Sequence, residues 1–150
     1  MKNYKLIWLG IFCCLQPLIL FAQRGEMIRK AFLDPKFDQV LVVAHRGNWR
    51  SAPENSVAAI DSAIQMGVDI VEIDIHKTKD GQLILMHDDR VDRTTNGKGL
   101  IKDYTLAEIK KLKLKDKDGN LTEHIVPTLE EALLAGSSNV GTICSVRFPS

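Results

Sequence analysis

Two uninterrupted apolar runs of strand length, Val40-Leu41-Val42-Val43-Ala44 and Val68 to Ile75, flank a segment of helical periodicity. This strand-helix-strand order constrains the fold more than any other feature of the chain. Strands joined through a helix are predicted to pair in parallel by a right-handed crossover. An apolar run with no alternating polar face is predicted to be covered on both sides. The helix is predicted to start near Asn55 or Ser56, to line up Val57, Ile60 and Ile64 on one face, and to stop at Gly67, which suits a left-handed cap.

After the second strand, Asp80-Gly81 stands between Ile75-His76-Lys77-Thr78-Lys79 and Gln82-Leu83-Ile84-Leu85-Met86, a hairpin signal. With a two-residue loop, His87 falls opposite Asp74 and projects to the same face. Thr105-Leu106-Ala107-Glu108 and Thr128-Leu129-Glu130-Glu131 both fit a capping box, with apolar stripes Leu106, Ile109, Leu112 and Leu129, Ala132, Leu133 behind them. Gly136 reads as the stop of the last helix.

The ends and the charge balance bound the partners. Lys2 and Lys5, the mostly apolar Leu6 to Phe21, and Ala22 before a polar stretch resemble a secretory signal peptide over residues 1–22. A membrane span needs about 20 apolar residues, and this run is broken by Gln16 and Pro17, so no stable span is expected after cleavage. The mature protein is expected to be exported, periplasmic or extracellular. Removal of the signal takes Cys13 and Cys14 and leaves Cys144 alone, without an intramolecular disulfide. Residues 23–38 form a polar lead-in in which Met27, Ile28, Phe32, Leu33 and Phe37 pack as a short amphipathic helix broken at Asp34-Pro35. With a formal charge of +1 nothing points to nucleic acid, and the lysines of Lys110 to Lys115 read as a solvated helix face.

The chemistry sits at the strand ends. Glu72 and Asp74 are two apart in a strand, so both leave one face with Ile70, while Val71, Ile73 and Ile75 leave the other. Two carboxylates on one face of an apolar strand repel and resist burial unless something positive lies between them. A hard divalent cation, Mg²⁺ or Ca²⁺, satisfies that requirement with oxygen ligands. The alternative is an edge strand with a solvated acidic face. His45 is the first polar residue after its run, followed by Arg46, whose fork of donors suits a phosphate, and Gly47, which lets backbone approach a ligand. His87-Asp88 follows an apolar strand in the same way. His76 and His124 read as surface residues, and Trp49 as a pocket wall or a cover for the rim. Arg93-Thr94-Thr95-Asn96-Gly97 reads as polar turn material.

As a set, His45-Arg46-Gly47, Pro53-Glu54-Asn55-Ser56, Glu72-Ile73-Asp74, Lys79-Asp80-Gly81, His87-Asp88, Arg93-Thr94-Thr95-Asn96-Gly97 and Pro127-Thr128-Leu129-Glu130-Glu131 closely resemble the glycerophosphodiester phosphodiesterases, from about Val40 to Ala135. The resemblance implies a TIM-type (β/α)8 barrel with a small insertion after the second strand, here about residues 87–126. It implies hydrolysis of glycerophosphodiesters to glycerol 3-phosphate and an alcohol with a divalent metal. By position, His45 and His87 become the acid and base pair, Arg46 a phosphate ligand, Glu72 and Asp74 metal ligands, and Glu54 and Asn55 supports from the loop above.

The chain departs from that pattern at its end. The family's third metal carboxylate belongs to an Asn-x-Glu-x-Lys strand, whereas residues 137–150 contain no acid. A (β/α)8 barrel takes about 250 residues, and 150 are present here. Residues 39–150 are therefore expected to make only about the first half of the barrel, as a fragment or as a product whose reading frame is lost near Gly136. Two other readings stand beside an impaired hydrolase: a non-catalytic remnant that binds a phosphate ligand, and a related barrel phospholipase or lyase.

Overall fold

The computed structural model describes residues 25–136 and the backbone of Gly141–Val146. The expected signal peptide and the side chain of Cys144 lie outside the described residues. Residues 25–33 are helical and end at the Asp34-Pro35 turn, as expected. Of the apolar residues assigned to the packing of that segment, Ile28 is buried, while Met27, Phe32 and Leu33 stay exposed.

Strand β1 (Val43–His45), helix α1 (Val57–Gln65) and strand β2 (Ile70–Lys77) form the expected unit. The strands pair in parallel, with His45 beside Glu72. Ser56 caps α1 by accepting a hydrogen bond from the Ala59 backbone N–H at 3.0 Å. Gly67 closes the helix at φ +78°. The side of β2 carrying Val71 and Ile73 packs on Ile60 and Ala63 of α1, on Leu85, and on Ala132 of the later helix α3 (Leu129–Gly136). Burying one such Ile or Val contributes roughly 1.5–3 kcal/mol, which holds the opposite, carboxylate-bearing face of β2 in place.

Two expectations about the strands are corrected. β1 is only three residues long and is not covered on both faces: Val40, Val42 and Val43 are exposed. Among the described residues its strand partner is β2 alone. The hairpin between β2 and β3 (Leu83–Leu85) has a three-residue loop. Thr78 N–H donates to the Gln82 carbonyl at 2.9 Å, and Gly81 takes φ +82° as the third loop residue. The extra residue slips the register by one. Met86, whose N–H donates to the Asp74 carbonyl at 3.1 Å, stands opposite Asp74 in place of His87.

Between β3 and α3 the chain makes a 3₁₀ turn (Ile101–Asp103), a short helix α2 (Leu106–Ile109), and an antiparallel pair β4 (Lys113–Lys115) and β5 (Leu121–Ile125). Their apolar side chains Val91, Ile101, Ile109, Leu114 and Val126 close a second core with Ile84 and Met86. The expected lysine-rich helix face is therefore corrected. α2 stops at Ile109, and Lys113-Leu114-Lys115 is a strand with Leu114 buried between two partly exposed lysines. The capping box at Thr128 forms, with its N–H 2.8 Å from Glu131 Oε2 and its Oγ1 accepting from Glu131 N–H at 3.1 Å. Strand β6 (Gly141–Val146) pairs in parallel with β2, setting Ile143 beside Glu72 and Ser145 beside Asp74.

Candidate functional site

At the C-terminal end of β1 the backbone turns through two left-handed residues, Arg46 at φ +57° and Gly47 at φ +74°. Gly47 suits both the conformation and the space, since a Cβ there would lie 2.7 Å from the Ala59 carbonyl carbon. Arg46 accepts a strained conformation, and such strain collects at functional positions. The turn aims the Arg46 side chain across the end of β2. Its Nη1 donates to Glu54 Oε1 at 3.1 Å, and its backbone N–H donates to Glu72 Oε2 at 3.1 Å. Nε lies 3.4 Å from Asp74 Oδ2, buried and without a hydrogen-bond acceptor.

Asp74 is wholly buried. Asn55 holds it at two points: Asn55 Nδ2 donates to Asp74 Oδ2 at 3.0 Å, and Asp74 N–H donates to Asn55 Oδ1 at 3.0 Å. Asn55 is itself left-handed, at φ +55°, a conformation its short amide tolerates better than most side chains do. Its own N–H donates to the Arg46 carbonyl at 3.0 Å and closes the loop. Of the two carboxylates, Asp74 thus has the Arg46 guanidinium as its positive neighbour, while Glu72 meets Arg46 only through the backbone N–H.

The histidines stand at the two sides of this group. His45 Nε2 lies 4.0 Å from Glu72 Oε2, with the imidazole largely exposed. His87 Nδ1 is 2.7 Å from Asp88 Oδ1. The two sides are joined through Arg93, which bonds Asp88 through Nε (2.7 Å) and Nη2 (3.0 Å), and Glu54 through Nη1 and Nη2 (2.8 Å each). The hydrogen bond from Arg93 is the main cause that holds the Asp88 carboxyl at about 2, with His87 adding to it. Burial pushes Glu54 up, but Arg93 and Arg46 outweigh it and leave the carboxyl below its ordinary range. Arg93 is raised further still by the same two carboxylates, Glu54 first. Beside this pair opens a cleft of about 290 Å³ lined by Trp49, Glu54, Arg93, Thr94, Lys115 and Asp116. Trp49 therefore walls a pocket, with Arg50 stacked on its ring at 5.1 Å.

Every residue assigned from sequence, His45, Arg46, Glu54, Asn55, Glu72, Asp74 and His87, enters this connected network. Two residues were missed. His76, read as surface, is buried, with Nε2 3.2 Å from the His87 carbonyl oxygen. The signal for it was the strand parity it shares with Glu72 and Asp74. Arg93 was read as turn material, and no local pattern identifies its partners, which lie 5 and 39 residues away. His124 is exposed, as expected.

For a divalent cation the donor chemistry is right and the donor number is not. Glu72 and Asp74 offer hard oxygens, yet among the described residues no group of three or more His, Cys, Asp or Glu side chains could hold a metal ion.

A profile of the glycerophosphoryl diester phosphodiesterase family matches residues 45–149, further towards the end of the chain than the motifs alone reach. A glycerophosphodiester phosphodiesterase of Bacillus subtilis is 45% identical, over 83% of this chain and 43% of its own length. One from Caldanaerobacter subterraneus is 49% identical, over 62% and 39% respectively. Among solved structures, a glycerophosphoryl diester phosphodiesterase of Parabacteroides distasonis superposes with a TM-score of 0.71 at 31% identity, over 84% of this chain and 45% of that one. An Oleispira antarctica phosphodiesterase in complex with the product sn-glycerol-3-phosphate gives 0.67 at 38% identity, over 72% and 44%. These relatives are TIM barrels, and the mixed sheet with its flanking helices corresponds to part of one. The chain spans less than half the length of these relatives. With the profile covering most of its residues, the chain belongs to the glycerophosphoryl diester phosphodiesterase family.

Proposed function

We propose that this chain carries the phosphate-binding and proton-transfer part of a site that hydrolyses glycerophosphodiesters to glycerol 3-phosphate and an alcohol. The observation that carries this reading is Arg46. Its guanidinium is held at the end of β1 by Glu54, with Nε buried 3.4 Å from Asp74 Oδ2 but outside hydrogen-bond geometry, so its donor capacity is not fully used. A phosphoryl oxygen is an acceptor of the matching charge and geometry. With the phosphate on Arg46, one histidine of the pair His45 and His87 takes the proton of the attacking hydroxyl, from water or a neighbouring glycerol oxygen. A new P–O bond forms, the bond to the alcohol breaks, and the other histidine returns a proton to the departing oxygen. Water as attacker gives glycerol 3-phosphate at once, whereas the glycerol oxygen gives a cyclic phosphate that water opens in a second step with the two histidines exchanging roles. Glu72 and Asp74 are the carboxylates assigned by position to a divalent metal, Ca²⁺ or Mg²⁺. Their number falls short of a closed shell, and no step here passes through it.

In this reading residues 39–150 are part of a barrel domain, with about 87–126 as its insertion, and residues 1–22 direct export to the periplasm or beyond the cell. No described helix is long and apolar enough to cross a membrane. Amino-terminal sequencing of the exported protein is expected to start at or near Gln23, and recovery of intact Met1 from the membrane fraction would contradict export. Release of glycerol 3-phosphate from glycerophosphocholine tests the activity directly. Slow turnover is expected in the wild-type chain, falling by roughly 10² or more in His45→Ala and in His87→Ala, with unchanged melting. Rates that survive both substitutions would refute the assignment. Phosphate-ligand binding without turnover is the second reading, favoured because among the described residues no group of three or more His, Cys, Asp or Glu could hold a metal ion.

A further inference from the structure

We infer that Arg93 is the positioning residue of this site: by clamping Asp88 to Glu54 it fixes the tautomer of His87 and the placement of its turn against the Arg46 loop. The inference rests on the proposed proton-transfer role of His87, and it follows from bond geometry. One guanidinium fork receives two carboxylates, each through two N–H groups, at 2.7 and 3.0 Å for Asp88 and 2.8 and 2.8 Å for Glu54. Bidentate pairing of this kind fixes the carboxylate plane as well as its distance.

The consequence reaches His87 through one atom. Asp88 Oδ1 accepts from Arg93 Nη2 and lies 2.7 Å from His87 Nδ1. An ionised carboxylate only accepts, so the bond requires the proton on Nδ1 and leaves the Nε2 lone pair as the acceptor. Were Asp88 free to rotate, the imidazole would lose that constraint and both tautomers would populate. The other carboxylate, Glu54, sits on the loop that follows β1 and accepts from Arg46 Nη1 at 3.1 Å. Arg93 therefore ties the proton-transfer turn to the phosphate-binding loop, two segments with no covalent reason to keep a constant separation. Its side chain is half exposed and borders the 290 Å³ cleft, so its value lies in orientation more than in stability.

The test reads the tautomer, not turnover. The ¹⁵N-labelled chain is examined by two-bond ¹⁵N–¹H imidazole correlation at about pH 8, where an ordinary histidine is neutral, with His87→Ala identifying the signals. Wild type is expected to show His87 as the Nδ1–H tautomer alone. Arg93→Gln removes the fork, and Arg93→Lys keeps the charge but cannot engage both carboxylates bidentately. Both are expected to lower the Nδ1–H to Nε2–H ratio at least tenfold. Arg90→Gln, which loses an exposed bond to Asp92, is expected to leave the ratio unchanged. A folded Arg93→Gln variant with the wild-type ratio would overturn the inference. If Arg93→Gln does not fold, the Lys variant decides: a lowered ratio supports positioning, and an unchanged one reduces Arg93 to a structural role. A chain without turnover that shows these tautomer shifts would fail only the proposed function. A chain with turnover but no shift would fail only this inference.

Discussion

Replacing Asn55 by alanine strikes the point where backbone strain, a buried carboxylate and the Arg46 loop meet. The substitution removes the amide donor from Asp74 Oδ2 and the acceptor from Asp74 N–H, both at 3.0 Å and both buried. A hydrogen bond to a charged group is worth about 1.5–3 kcal/mol, and a stranded buried N–H costs about 1–3 kcal/mol. Alanine at φ +55° adds about 1–2 kcal/mol. The expected loss is at least about 3.5 kcal/mol, a large share of the roughly 5–15 kcal/mol that stabilises a typical domain. Asn55→Gly loses the same bonds without the conformational penalty and is expected to sit about 1 kcal/mol above the alanine variant. Urea unfolding followed by far-ultraviolet circular dichroism reads both. If Asn55→Ala costs less than about 1 kcal/mol, Asn55 does not brace Asp74 as drawn.

Two further outcomes are expected. Asp88 has a folded pKa of about 2 against 3.8 unperturbed, so its contribution to stability is fully present above about pH 4 and is lost as the pH falls through about 2. Urea midpoints between pH 5 and 2 should therefore fall less steeply in Asp88→Asn than in wild type, and parallel curves would refute the ion pairing with Arg93. Calcium calorimetry on the wild-type chain is expected to show weak binding, because Glu72 and Asp74 supply two of the six or more oxygens a hard cation takes. Micromolar affinity would contradict it.

The parts of the fold readable from sequence were those set by local chemistry. Helix α1 lies between the Ser56 cap and Gly67 because both signals act within one turn of chain. The shared face of Glu72 and Asp74 follows from strand parity alone. The hairpin register depends on whether Lys79 joins Asp80 and Gly81 in the loop, which the Thr78 and Gln82 backbone bond decides. The apolar run Val40 to Ala44 suggests a longer, buried β1, but whether such a run is covered depends on segments distant in sequence, and here Val40, Val42 and Val43 stay exposed. The lysine-rich stretch suggests a helix because its alternation matters only once Leu114 finds the second core. In the site, His45, Arg46, Asp74 and His87 were visible at strand ends. Arg93 was not, since its role exists only after folding brings Glu54 and Asp88 to one guanidinium.

Binding of sn-glycerol 3-phosphate to wild type and to Arg46→Gln, followed by calorimetry on the full chain, tests most directly whether the buried, acceptor-less Nε of Arg46 marks a phosphate site. Wild type is expected to bind with a Kd on the order of 1 mM or tighter, about −4 kcal/mol. Arg46→Gln, folded by its circular dichroism, is expected to weaken binding at least tenfold. Equal binding by the two proteins, or none by either, would contradict the assignment.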